Sequence, residues 1–436
     1  MSARHVFVPL AVALSSAAGV DLLAQTRTVT LGEAIRRSEL VDPQVVQAQG
    51  NVRNTSAGVR AAHATYLPTL STNANLSNTY SGGPSRVDPV TGEVITGSNT
   101  STSVGFGAST SYDLFTGFRR GKDISAAKAQ RSSAEAGLEY SRAQNRLTTS
   151  RAFVQALQAT SLVQVRRESI RRAEEQFRIA SAKLATRSVN IADSLQAALN
   201  VAQAQLQLVS DEQQLAASEA SLARAIGETG RVQAIEDSSL LRVIQIGDTA
   251  ALIAEAMTRA PEVIRADAAE NAARANHGAA RAQYFPSVNL SADTRLAGNR
   301  VNDYTLFGSR NVGIGLSWQV FNRFQRELQV ARTRSDMETA ITQTADVRRR
   351  VGADMVGRLA SLLAAEERIR IAQRNVETLR ALVRVQLERY RIGSIDNDFL
   401  SRAQEQLNNA ESEAVRARFD YVLAKAEIEA LLGRSI

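Results

Sequence analysis

The sequence predicts a mostly α-helical chain with a small transmembrane β part, in which two β-strands plus long coiled-coil helices form a duplicated repeat. Three observations carry this reading. An ordered set of short motifs returns once, two proline-free stretches are far longer than a globular domain uses, and four short segments alternate apolar and polar residues.

Composition narrows the class before any motif is read. The chain has 436 residues, only 5% aromatics and seven prolines, and Ala, Arg, Gln and Glu fill long stretches, a usage that favours extended helices. There is no cysteine, which excludes a disulfide framework, a thiol nucleophile and a lipid-modified N-terminal Cys. The net charge of +8 comes with Arg and Lys interleaved among Asp and Glu, and no nucleic-acid signature accompanies it. Val6 to Val20 form an apolar run behind Arg4 and His5, too short to span a bilayer. Residues 1–24 read as a secretory signal with cleavage after Ala24; a buried N-terminal helix is the other reading.

The repeat comes next in the argument because it sets the architecture. Asp42-Pro43-Gln44-Val45 is echoed by Ala260-Pro261-Glu262-Val263, and Tyr66-Leu67-Pro68 by Tyr284-Phe285-Pro286. Tyr112-Asp113-Leu114-Phe115 returns as Trp318-Gln319-Val320-Phe321, and Ala225-Ile226-Gly227 as Leu431-Leu432-Gly433. The order is kept throughout, with a longer loop in the first copy. Two units follow, residues 25–230 and 231–436. In each, Pro at the first helical position opens a helix that runs to the Tyr-x-Pro, two strands follow, and two long helices close the unit. Expected strands are about 69–80 and 103–115, then 287–297 and 311–321; expected long helices are about 118–185 and 192–226, then 323–391 and 397–432.

No proline falls between Pro89 and Pro261 or after Pro286, so the longer helix of each unit runs for about 100 Å at 1.5 Å per residue. In the last helix, Leu400, Ala403, Leu407, Ala410, Ala414, Ala417, Tyr421, Ala424, Ile428 and Leu431 alternate steps of three and four. Its predecessor repeats this at Ile369, Ala372, Val376, Leu379, Val383, Gln386 and Tyr390. In the first unit Leu208, Leu215 and Leu222 are a heptad apart, with Asp211 and Ser218 on the stripe between them. Seams this narrow mean coiled-coil packing and a wall one helix thick.

The four strand segments set Leu70, Leu76, Val104, Phe106, Val288, Leu290, Val312 and Ile314 on one face against Ser71, Asn73, Ser109, Asn289 and Asn311 on the other. Segments of about ten residues with this alternation, carrying Tyr80, Phe106, Tyr112, Trp318 and Phe321 as an aromatic girdle, fit transmembrane strands. A soluble hairpin packed on a helix shares the pattern. In lipid, four strands leave two open edges with unsatisfied backbone groups, so copies must combine. Closure alone permits two, three or four.

The duplicated plan, Leu31-Gly32-Glu33-Ala34-Ile35 leading to Asp42-Pro43, the Tyr-Leu-Pro before the first strand, and Arg418-Phe419-Asp420-Tyr421 resemble the TolC-like outer-membrane efflux and secretion family over residues 28 to 433. The resemblance implies a homotrimer with a 12-stranded β-barrel and a periplasmic α-helical barrel, seated in outer-membrane lipid. It also implies a passive exit duct of a tripartite efflux or type I secretion system, fed by an inner-membrane transporter through a periplasmic adaptor. It makes the distal helical turns the adaptor-docking sites, here Ser188 and Asn190 in the first unit and Gly393 and Ser394 in the second. Aligned on Gly393 and Ala403, Phe399 and Arg402 stand where relatives carry inward acids, while Asp193, Asp396, Asp398 and Glu405 lie nearby as gate candidates. Asp396 or Asp398 equally suits an N-cap for the final helix.

No catalytic constellation, cofactor motif or metal set is legible. His63 and His277 stand alone at non-equivalent places in the two units, and there is no phosphate loop or nucleophile elbow. A periplasmic coiled-coil adaptor and a structural coiled-coil protein remain as alternatives; the first needs a lipoyl-like β domain, and the second has no need of the strands.

Overall fold

The computed structural model describes residues 27–95, 99–186, 190–237, 247–298 and 306–436. The expected signal, residues 1–24, lies outside them. The first unit runs β1 (Arg27–Val29), α1 (Leu31–Val41), α2 (Pro43–Ala64), β2 (Thr69–Ser81), β3 (Arg86–Val87), β4 (Val94–Ile95), β5 (Asn99–Phe115), α3 (Arg119–Ala185) and α4 (Ile191–Ala225). The second runs from β6 (Val232–Ala234) through α5 (Thr249–Arg259), α6 (Pro261–Arg281), β7 (Ser287–Gly298) and β8 (Phe307–Ser317) to α7 (Gln325–Arg391) and α8 (Asn397–Leu432).

Local chemistry explains the boundaries. Asp42 caps α2 by accepting from the backbone N–H groups of Gln44 and Val45 at 2.9 Å, with Pro43 in the first turn. Helix α4 stops in a Schellman turn at Gly227 (φ 76°), whose N–H donates to Arg224 O while Glu228 N donates to Ala223 O. Helices α3 and α7 have 67 residues each. Both start from left-handed backbone, Phe118 at φ 64° and the pair Arg323 and Phe324 at 56° and 60°. Such residues cost about 1–2 kcal/mol each, and the same packing offsets it in both units. Phe118 meets Phe115 and Phe285 edge-on, and Phe324 meets Phe321. Arg120 donates to Asp113 O and stacks on Tyr66; Arg326 donates to Gln319 O and stacks on Tyr284.

The long strands make one antiparallel sheet in the order β2-β5-β7-β8. The fourth strand is shifted from its expected span of 311–321 and covers Phe307–Ser317. Its partner β7 starts at Ser287, paired with Ser317, directly after Pro286, which has no N–H to offer. Below that point the ladder has no second rail, and Trp318 turns out to donate its indole N–H to Tyr284 O.

The helices form a wall one layer thick. On the strand side, α3 packs between α2 and α6, and α6 packs on α7; on the far side, α3 packs between α4 and α8, and α8 on α7. At mid-height the wall thickens into two cores. One joins Val29, Phe153, Leu157, Leu222, Ile226, Val232, Phe419 and Val422; the other joins Val263, Val351, Met355, Leu362, Tyr421 and Ile428. Strands β1 and β6 pair in parallel over the first. Towards the far end the α7–α8 seam is Val376, Val383, Ala403, Leu407 and Ala410. Asp211, which interrupts the α4 stripe, receives Arg166 of α3 at 3.0 Å.

Candidate functional site

The sheet has two chemically distinct faces. Leu70, Leu76, Val312, Ile314 and Leu316 are 68–78% exposed on one of them, an apolar surface far larger than isolated residues make. The opposite face carries hydroxyls, amides and glycines, with Asp293, Arg295 and Phe307 among them on β7 and β8. Ser71 meets Ser109, and Ser77 meets Ser103, each at 2.7 Å between oxygens, and Asn311 donates to Asp293 at 3.3 Å. Among the described residues, the outer edges of β2 and β8 have no strand partner.

Four of the five aromatics expected to form a girdle lie near the ends of the sheet, and one does not. Tyr80 stands exposed at the outer end of β2, and Tyr112, Trp318 and Phe321 gather at the helix end of the sheet. Phe106 sits at mid-strand opposite Ala74 and Leu296, so it belongs to the apolar face and to neither rim. The helix-end rim gains exposed Phe115, Phe118, Phe285 and Phe324 instead. They answer to the strand-to-helix reversal, which strand periodicity does not reveal.

At the far end, Asn190 caps α4, its side-chain oxygen accepting from Ala192 N. Ser188 lies outside the described residues. Gly393 (φ 80°) donates to Tyr390 O and Ser394 N donates to Arg389 O, which closes α7 in the same Schellman geometry as Gly227. Asp396 holds the N-cap position of α8, yet its carboxylate accepts no cap hydrogen bond, contrary to the capping expected of it. Asp398 likewise turns outward to Arg402, 2.7 Å away and one helical turn on. Phe399 is 58% exposed, Glu405 is exposed and Asp193 is half-buried.

Between these surface groups runs a buried polar chain that joins the two units. Gln176 of α3 is fully buried and donates to Asn397 Oδ1 at 2.6 Å and to Ser401 Oγ at 2.9 Å. Asn397 donates to Asp193 O, and Asn200 of α4 donates to the same Ser401. Lys183 donates to Tyr390 O and lies over the Tyr390 ring. Burial, with a smaller push from Asp193, raises the Tyr390 phenol above its ordinary value. Further along, the buried carboxylate of Glu411 on α8 accepts from Arg172 of α3 at 2.7 Å and from Arg380 of α7 at 2.9 Å. One trace of this was readable. Asn397 lies one step of three before Leu400, on the same buried side of α8, and Gln176 falls between the buried Ala173 and Ala180.

Two helix faces are left apolar and open. Helix α4 exposes Ile191, Leu195, Leu199, Leu206 and Val209, and α7 exposes Val356, Leu363, Ile371, Leu382 and Val385. These are the two ends of the far-side row. No helix among the described residues is long and apolar enough to cross a membrane. No group of three or more His, Cys, Asp or Glu among them is placed to hold a metal ion.

Comparison with known proteins places this geometry. The family model described as outer membrane efflux protein matches residues 34–228 and again 252–434. The pyoverdine export outer membrane protein OpmQ of Pseudomonas aeruginosa is 27% identical over 427 residues, 92% of this chain and 85% of that one. The probable efflux pump outer membrane protein TtgC of Pseudomonas putida is 26% identical over 42% of this chain and 38% of its own. In fold the chain is similar to CusC (TM-score 0.78, 18% identity, 93% and 92% of the two chains) and to VceC of Vibrio cholerae (0.74, 16%, 93% and 96%). The open state of MtrE from Neisseria gonorrhoeae superposes with a TM-score of 0.73 at 18% identity, over 93% and 89%. With the family model matched once in each repeat, an apolar-faced sheet and a helical wall, the chain belongs to the outer membrane efflux protein family and is an efflux channel of the outer membrane.

Proposed function

We propose that three copies close into one pipe and form the exit duct of a tripartite efflux system, receiving substrate from an inner-membrane pump through a periplasmic adaptor. The two bare edges of the sheet carry this reading. Strands β2, β5, β7 and β8 alternate in direction, so β8 of one copy meets β2 of the next in antiparallel fashion. Three copies complete a twelve-stranded barrel without an edge, which a bilayer requires. The same operation lays the α7 stripe of one copy against the α4 stripe of its neighbour and covers both. The turns at Asn190, Gly393 and Ser394 then form the adaptor-facing rim, with Ser188 beside them in the chain. Asp193, Asp396, Asp398, Phe399, Arg402 and Glu405 surround the periplasmic aperture.

Electrophoresis with and without heating tests the assembly, and planar bilayers test the duct. The unheated detergent extract is expected to run as one trimer band that collapses to the single-chain position on boiling, and to conduct in lipid. A chain that stays monodisperse and single in plain buffer, with no conductance, overturns the proposal.

A further inference from the structure

Each unit turns from its second long strand into its longer helix through left-handed backbone, at Gly117–Phe118 (φ 62° and 64°) and at Arg323–Phe324 (φ 56° and 60°). Glycine suits the first place of such a turn, and an L-residue is rarely found there. Gly117 is buried and has no room for a side chain: a Cβ would stand 2.5 Å from Phe285 Cβ and 3.0 Å from Pro286 O. Phe285 closes on this gap and meets the Phe118 ring edge-on at 5.6 Å. Arg323 occupies the same place in the second unit and has no such neighbour. It is exposed, and its guanidinium makes no hydrogen bond or ion pair among the described residues. Phe324 beside it is 69% exposed, with Phe321 as its one ring contact among those residues.

In the closed ring proposed above, on which this inference rests, the strand after Tyr66-Leu67-Pro68 of the next copy meets β8 as the strand after Tyr284-Phe285-Pro286 meets β5. Leu67 of the next copy therefore comes to Arg323 as Phe285 comes to Gly117. Within a chain the joint sets a large ring against a missing side chain. Between copies it sets a smaller side chain against a long one. Arginine facing phenylalanine would repeat the 2.5 Å clash, and glycine facing leucine would leave a hole. We propose that Arg323 is an assembly residue of the joint between copies, its stem packed on Leu67 of the next copy at the helix end of the barrel. Its guanidinium reaches past the leucine to interfacial water, as long basic side chains do. Leu67, 66% exposed in the single chain, is covered by this contact. The ring then alternates three Gly–Phe joints within chains and three Arg–Leu joints between them, which explains why this left-handed backbone carries an arginine.

The cysteine-free chain allows a direct test. In one copy Leu67 and Arg323 lie at opposite edge strands, three strand spacings or about 14 Å apart, whereas a disulfide needs Cα atoms within about 7 Å. Leu67→Cys/Arg323→Cys can therefore bond only between copies. Oxidised and boiled in SDS without reductant, it is expected to run as covalent dimers and trimers. A swap tests the fit. Arg323→Gly leaves a hole and Leu67→Phe overfills the joint, so each is expected to lower by several degrees the temperature at which the trimer band is half lost. Arg323→Gly/Leu67→Phe rebuilds the Gly–Phe joint and is expected to recover most of that loss. An Arg323→Gly band as heat-resistant as the parent's, a double variant no better than the weaker single one, or no covalent ladder from the cysteine pair overturns the joint while the trimer stands. A loss in Arg323→Gly that appears only when phosphatidylglycerol is added to the detergent-purified protein assigns the arginine to a lipid phosphate and overturns the joint as well. A parent without a boil-sensitive band overturns the trimer, and the joint with it.

Discussion

Glu411→Ala removes the one carboxylate that α8 places between Arg172 of α3 and Arg380 of α7, and the two arginines answer very differently. Arg172 is only 20% exposed, so it is left as a charge largely out of water, still bonded to Asn408 Oδ1 at 2.7 Å. Breaking a buried pair from one side costs about 3–5 kcal/mol, and the surviving bond to Asn408 argues for the lower end, about 3 kcal/mol. Arg380 is 61% exposed and returns to solvent; Arg380→Ala therefore costs no more than about 1 kcal/mol. A loss of 3 kcal/mol raises the local opening of the lower helices roughly a hundredfold. Native-state proteolysis of the detergent-solubilised channel reads that opening when reclosing outpaces cleavage. E411A is expected to be cut in the lower part of α7 or α8 about a hundred times faster than the parent, and R380A severalfold faster at most. Equal cleavage of E411A and R380A would refute the claim that the buried arginine carries the energy.

Three further outcomes follow from the same reasoning. Gln176→Leu strands the buried Asn397 Oδ1 without a donor, an expected loss of about 1–3 kcal/mol, read as a lower thermal midpoint of the helical circular-dichroism signal; an unchanged midpoint contradicts it. Leu206, 72% exposed in one copy, lies on the α4 stripe assigned to the neighbour. Leu206→Asp should leave each chain helical yet abolish the boil-sensitive trimer band, and a surviving band argues against that interface. Gly393→Ala forces an L-residue into φ 80° and is expected to cost about 1–2 kcal/mol, visible as a lowered midpoint with no change in helix content.

What could be read from the sequence was what local chemistry decides. Pro43 and Pro261 start helices because proline suits the first turn, and the absence of proline lets α3 and α7 run on unbroken. The apolar alternation of β2 and β7 reports their own exposure to two media. The end of β8 is not legible because it depends on its partner, where Pro286 stops the ladder, and the β8 alternation runs on past that point. The left-handed starts at Phe118 and Phe324 depend on packing against Phe285 and Phe321, which no local pattern announces. At the tips, the acids drew attention as caps, yet Asp396 accepts no cap bond and Asp398 pairs with Arg402. The groups that join the units, Gln176, Asn397 and Glu411, are polar residues hidden on seams, and a stripe of apolar positions draws the eye past them.

The bare rims of β2 and β8 also bear on inheritance. In the trimer proposed above each copy must offer a sound rim to both neighbours, so a single faulty partner would leave the ring open and waste two good ones. In a cell making equal amounts of intact and rim-damaged chains that mix freely, only about one ring in eight is whole. Damage at these strands should therefore be dominant, whereas damage confined to cargo contact should be diluted by its healthy neighbours.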